Sequence, residues 1–105
     1  MAQFDVYRNP SSRTRQMYPL LVDIQHDYLS DIATRIVIPL GRAEYFRGEG
    51  LGKLTPAIEY ENESLFILIP QIASMESAKL NAPIGSLSHL RSEILGALDF
   101  AISGI

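Results

Sequence analysis

The last stretch of the chain is written as one amphipathic helix, and it dictates what the rest must supply. From Leu87 the apolar residues fall at Leu87, Leu90, Ile94, Ala97, Leu98, Ala101, Ile102 and Ile105. Steps of three and four place them on a single helical face. Ser86 and Ser88 offer oxygens to the first free amides, and Gly104 stands where a helix stops. No Lys or Arg follows Arg91, while Asp99 lies in the final turns. A helix C-terminus carries partial negative charge and favours cations, so this end is electrostatically unfavourable. Either it is a solvated, fraying end or it is shaped to meet a basic partner. Ile105, beside a carboxylate that resists burial, is expected near the surface.

Strands precede the helix. Gln3 to Tyr7 alternates, with Phe4 and Val6 on one side. Tyr18 to Gln25 sets Leu20, Val22 and Ile24 against Leu21, Asp23 and Gln25. Thr34 to Leu40 is β-branched, with Ile36, Ile38 and Leu40 sharing a face; Pro39 predicts that this end lies at an edge or leaves the sheet. Lys53 to Tyr60 and Ser64 to Pro70 form a hairpin through Glu61-Asn62-Glu63. Its second arm is apolar on both faces and reads as central. Gln71 to Glu76 is a further short strand. Between Gly41 and Gly52 the glycines at 48, 50 and 52 exclude a strand; Tyr45 and Phe46 are expected to fold back onto the body. Residues 1–105 therefore make one domain, β-rich α+β, an antiparallel sheet closed by a C-terminal helix. The helix carries more apolar surface than a small sheet covers, which predicts a homodimer.

Composition narrows the chemistry. No apolar run approaches the ~20 residues of a membrane span, and no basic-then-apolar leader opens the chain, so a cytoplasmic protein is expected. With no cysteine there is no disulfide or thiolate metal site. A net charge of −3 argues against gripping nucleic acid by bulk attraction.

Asp23, His26 and Asp27 cluster in sequence, yet a metal site needs three or four convergent ligands and His89 is the sole other imidazole. The aspartates are better read as accepting backbone amides where the strand turns. Gly-x-Ser-x-Gly, Ser-x-x-Lys and the Walker pattern are absent. Glu59 and Glu61 flank a hairpin tip and read as solvated. The chain reads as a binding protein, without cofactor, metal or catalytic residues.

Leu21-Val22-Asp23-Ile24-Gln25-His26-Asp27, followed by Thr34-Arg35-Ile36-Val37-Ile38-Pro39-Leu40, resembles the CcdB family of toxins. Gln3-Phe4 and Val6-Tyr7 match its opening strand; Leu87-Ser88-His89, Ala97 and Gly104-Ile105 match its terminal helix. The resemblance covers nearly the whole chain, least well from Gly41 to Gly52. It implies a five-stranded antiparallel sheet, a small second sheet and a C-terminal helix, a CcdB/MazF-like, SH3-like barrel.

The resemblance also implies a homodimeric, non-catalytic toxin of a type II toxin–antitoxin system. Such toxins bind the A subunit of DNA gyrase and trap its DNA cleavage complex. The CcdA antitoxin neutralises them through a C-terminal arm that folds on binding, and the pair represses its own operon, with operator DNA bound only together with antitoxin. Plasmid maintenance is the associated role. The gyrase-binding positions carry over to Tyr28 and Leu29 in the turn after the second strand, and to Asp99, Ser103, Gly104 and Ile105. Ser103 stands where the best-known member has tryptophan, and Asp99 where it has asparagine. Ser103 cannot stack on an arginine as tryptophan does, whereas Asp99 can pair with one. Two alternatives stand beside this reading. One is an endoribonuclease toxin of the same fold, with Arg13, Arg15 and Arg35 as its cations; the other is an inactive chromosomal homologue that only binds antitoxin.

Overall fold

In a computed structural model of the chain, residues 2–29, 32–46 and 52–104 are described. Seven strands form one antiparallel system: β1 (Asp5–Arg8), β2 (Leu20–Asp23), β3 (Thr34–Arg42), β4 (Ala57–Tyr60), β5 (Glu63–Ile67), β6 (Ala73–Glu76) and β7 (Gly85–Ser86). A short helix α1 (Ala43–Phe46) follows β3, and α2 (Arg91–Ser103) ends the fold. The sheet is curled into a half-barrel against which α2 packs.

β3 holds the sheet together. Along one side it pairs with β2, from Val37 against Asp23 to Leu40 against Leu20. Along the other, its first half pairs with β6 and its last residues with β5. Thus β7-β1-β2-β3-β6 make five strands, and β5-β4 branch from the far end of β3; the small second sheet implied by the resemblance is continuous with the main one, and the seven strands form a single sheet. This corrects the placement of Pro39, which lies mid-strand in a central position. Its carbonyl accepts from Leu68 N at 3.0 Å on the β5 side. Because N–H and C=O of one strand residue point the same way, the missing donor faces the break between β6 and β5, where no ladder partner needs it.

The strand core begins where alternation meets register. Val6 pairs with Val22 and Val22 with Ile38, so all three share one face, and each is fully buried. With Leu40, Leu65, Ile67, Leu87 and Ile94 they fill the space beneath α2. Each such side chain contributes roughly 1.5–3 kcal/mol. The opposite face is not a polar exterior, as a one-sided sheet would have. Tyr7, Leu21, Val37 and Leu80 form a second cluster there, covered by the segment that includes β6.

The hairpin turns through Glu61 and Asn62, both at positive φ (52° and 65°), with Tyr60 opposite Glu63. That two-residue turn matches strand twist at the cost of placing a glutamate in left-handed backbone. Phe46 does fold back, its ring 5.6 Å from that of Tyr18. The glycines at 48 and 50 lie outside the described residues.

Candidate binding surface

The turn after β2 is built by side chains satisfying backbone. Asp23 Oδ1 accepts from Gln25 N at 2.9 Å, and Asp27 Oδ1 accepts from Gln3 N at 2.8 Å. His26 Nδ1 accepts from Tyr28 N at 3.1 Å, and Gln25 Nε2 donates to Leu29 O at 2.7 Å. The aspartates therefore do what the sequence predicts of them, and among the described residues no His, Cys, Asp and Glu cluster could hold a metal. These bonds lock a single 3-10 turn over Asp27–Leu29 whose own side chains remain outside. Tyr28 is 92% exposed, stacked on His26 with ring centroids 4.8 Å apart; Leu29 is 45% exposed.

Beneath this turn lies a feature the sequence reading missed. Arg35 Nε donates to Asp23 Oδ2 at 2.7 Å, and both side chains are fully buried. Arg35 Nη2 also reaches Gln25 O at 3.3 Å, and Gln25 Oε1 accepts from Ile36 N at 3.1 Å. Asp23 and Arg35 lie on facing strands and share the second face, a coincidence only register discloses. The signal was an ionisable residue in each of two apolar strands. Arg35 is consequently not a surface cation. Close by, the Tyr7 hydroxyl is buried without a hydrogen-bond partner among the described residues. Burial first, then the Asp5 and Asp23 carboxylates, raises its pKa above the ordinary 10.0, with Arg35 opposing.

The other candidate positions lie at the end of α2. A 3-10 turn over Ser88–Leu90 precedes the helix, and Ser86 Oγ accepts from Ser88 N at 3.1 Å, so the serines serve that turn and not α2 itself. Burial then fades along the helix. Ile94 and Ala97 are buried, Leu98 is half-buried, and Ala101 and Ile102 are exposed, Ile102 at 79%. The apolar face runs past the edge of the core. Ser103 Oγ bonds back to Asp99 O at 2.7 Å, and Gly104, at φ 75°, closes the helix through its amide to Phe100 O at 2.8 Å. Glycine reaches that left-handed backbone without a Cβ penalty. No basic residue lies in the last turn, but Lys53 comes from another part of the chain to sit 5.5 Å from the Phe100 ring centroid. Its cation faces the Phe100 ring.

Asp99, Ser103 and Gly104 are thus held together on one helix end, and Tyr28 and Leu29 on one turn. Ile105 lies outside the described residues. The two groups are not joined by any hydrogen bond or ion pair among the described residues. The turn is anchored instead toward the start of α2: Gln3, which donates to Asp27, also accepts from Arg91 Nη1 at 2.9 Å. A helix of 13 residues is about 20 Å long, so its exposed end lies far from that anchor.

The family model described as CcdB protein matches residues 3–104, nearly the whole chain. The chain belongs to the CcdB family. It is placed thereby among the toxins of toxin–antitoxin modules. The half-barrel sheet with its C-terminal helix is the architecture expected of a CcdB protein. Among the described residues, no helix is long and apolar enough to cross a membrane.

Proposed function

We propose that this CcdB-family chain binds the A subunit of DNA gyrase and stabilises the enzyme's cleaved-DNA complex, acting by occupation and not by turnover. The supporting observation is the end of α2. Beyond Ala97 the helix presents Asp99, Ile102, Ser103 and Gly104 to solvent, a surface the fold itself does not use. An exposed carboxylate beside an exposed isoleucine suits a partner that offers an arginine within an apolar rim. Tyr28 and Leu29 form the second contact, and Ile105 extends the first.

The toxin acts in the cytoplasm as a homodimer, with Ala101 and Ile102 near the two-fold axis. A dimer also lets the turn of one subunit work with the helix end of the other, which one chain keeps apart. CcdA neutralises the toxin, and the complex represses its operon in the service of plasmid maintenance. The endoribonuclease reading is weakened because Arg35 is buried against Asp23, leaving Arg13 and Arg15 of its three cations.

The test is direct. Purified protein added to gyrase, supercoiled DNA and ATP is expected to accumulate cleaved DNA bound to gyrase, and to leave RNA intact. RNA cut at a fixed motif by the protein alone would overturn the proposal.

A further inference from the structure

The turn that carries Tyr28 and Leu29 is tied to β3 through a buried side chain, that of Gln25, which is 4% exposed. β2 ends at Asp23, opposite Val37. One further backbone bond follows, from Ile24 N to Ile36 O at 2.9 Å. In a continuing antiparallel ladder Ile24 O would accept the return bond from Ile36 N. It accepts from Gln3 Nε2 instead, at 3.1 Å. Gln25 Oε1 takes the carbonyl's place and receives Ile36 N at 3.1 Å. At its other end the same carboxamide donates from Nε2 to Leu29 O at 2.7 Å.

Both ends fix how the carboxamide lies. A flip would set its oxygen against the Leu29 carbonyl and its NH2 against the Ile36 amide, losing both bonds. The backbone of Gln25 is held as firmly, its N–H by Asp23 Oδ1 and its C=O by Arg35 Nη2. The buried ion pair therefore fixes Gln25, and Gln25 fixes Leu29. Leu29 N in turn donates to His26 O at 2.9 Å, which closes the turn under Tyr28. The side chains of Tyr28 and Leu29 are exposed, so core packing does not set their direction. Hydrogen bonds do.

We propose that Gln25 is a positioning residue: its carboxamide stands in for a backbone peptide at the end of β2 and passes the register of β3 to the surface of the turn. The inference rests on reading Tyr28 and Leu29 as the second gyrase contact. A contact turn free to move would lose conformational entropy on binding, and one already held loses less. Replacing Gln25 therefore weakens action on gyrase without removing any contacting atom. The chemistry of the bridge is specific. Ionised glutamate has no donor for Leu29 O, asparagine is one methylene shorter, and methionine keeps the length but offers neither group.

The test compares the full wild-type chain with Gln25→Met by amide hydrogen exchange and by gyrase-mediated DNA cleavage. Exchange at the Tyr28 and Leu29 amides is expected to quicken about tenfold or more, with the Val22 and Ile38 amides unchanged. Half-maximal cleavage should need about tenfold more protein, and Tyr28→Ala should cost less in the Gln25→Met background than in wild type. Equal quickening at all these amides would make Gln25 a structural residue only and overturn the proposal. Unchanged exchange at the turn would do so too, as would undiminished cleavage by a variant whose turn has loosened. A wild type inert on gyrase would fail the functional reading alone, and the exchange contrast would still decide whether Gln25 holds the turn. If Gln25→Met does not fold, the wild type suffices. Its Gln25 Nε2 protons are expected to exchange about tenfold or more slowly than those of exposed Gln71, and equal rates would overturn the bridge.

Discussion

Asp23 and Arg35 form an ion pair at 2.7 Å with neither side chain reaching solvent, between neighbouring strands of the central sheet. Removing both charges from water is costly, and only good geometry with further hydrogen bonds repays it. Here Gln25 supplies two of these, its backbone amide to Asp23 and its carbonyl to Arg35. Asp23→Ala should cost about 3–5 kcal/mol, because Arg35 is left charged and buried. The double variant Asp23→Leu with Arg35→Met should recover most of that loss. Urea denaturation of all three proteins checks this; a double variant no more stable than Asp23→Ala would show that the pair contributes more than its own compensation.

The Tyr7 hydroxyl shares this buried face without a hydrogen-bond partner among the described residues. Tyr7→Phe should leave stability unchanged or raise it by up to about 1 kcal/mol, since an unpaired buried donor is removed. The pH dependence follows from the raised folded-state pKa of Tyr7. The unfolded phenol loses its proton first, near its ordinary 10.0, so the native state binds more protons above that pH and stability falls. The contribution is intact below pH 10 and is lost as pH climbs through the folded value. Thermal melts of wild type and Tyr7→Phe between neutral and strongly alkaline pH should diverge only above that point.

Asp99→Lys separates stability from action. Near the C-terminus of α2 a cation replaces an anion, which should stabilise the helix by about 0.3–1 kcal/mol. The same change should weaken gyrase poisoning, because it reverses the charge offered to the partner. A more stable protein with undiminished DNA cleavage would exclude Asp99 from the contact.

Removing residues 103–105 should barely shift the melting temperature, since Ser103 and Gly104 are exposed and, among the described residues, bond within the helix end. Antitoxin binding and dimerisation should persist, while cell killing is lost. Melting, antitoxin affinity and killing measured on one truncated protein decide this. An unfolded truncation would make the tip structural.

At the hairpin, Glu61→Asn should raise stability by about 0.5–1 kcal/mol, because asparagine tolerates the positive φ that glutamate adopts there. Chemical denaturation of the single variant measures it.

The legible part of this sequence was its periodicity. Strand and helix phases were readable because Val6, Val22 and Ile38 alternate and because Leu87, Ile94 and Ala97 recur at helical spacing. Contacts between distant residues were not. Pro39 looked like an edge because proline lacks a donor, but only the order of β6 and β5 along β3 reveals that its donor side faces a break. Arg35 looked available for the same reason: nothing local says that Asp23 lies across from it. The candidate positions Tyr28, Leu29, Asp99 and Ser103 came from likeness to a family, and exposure of Tyr28 and Asp99 is what the structure adds. Lys53 beside Phe100 had no sequence signal, since the two come from separate parts of the chain.

Because β3 serves two sheet segments at once, its register is checked twice. Slipping it by one residue would take Arg35 away from its buried pairing with Asp23 and turn Ile38 out of the main core. The same slip would misalign β2 on one flank and both β5 and β6 on the other. No half of the protein can settle into a wrong alignment while the other half remains sound. Assembly errors at this strand are therefore all-or-none, and a newly made chain should either reach the native arrangement or expose enough greasy surface to be recognised and destroyed.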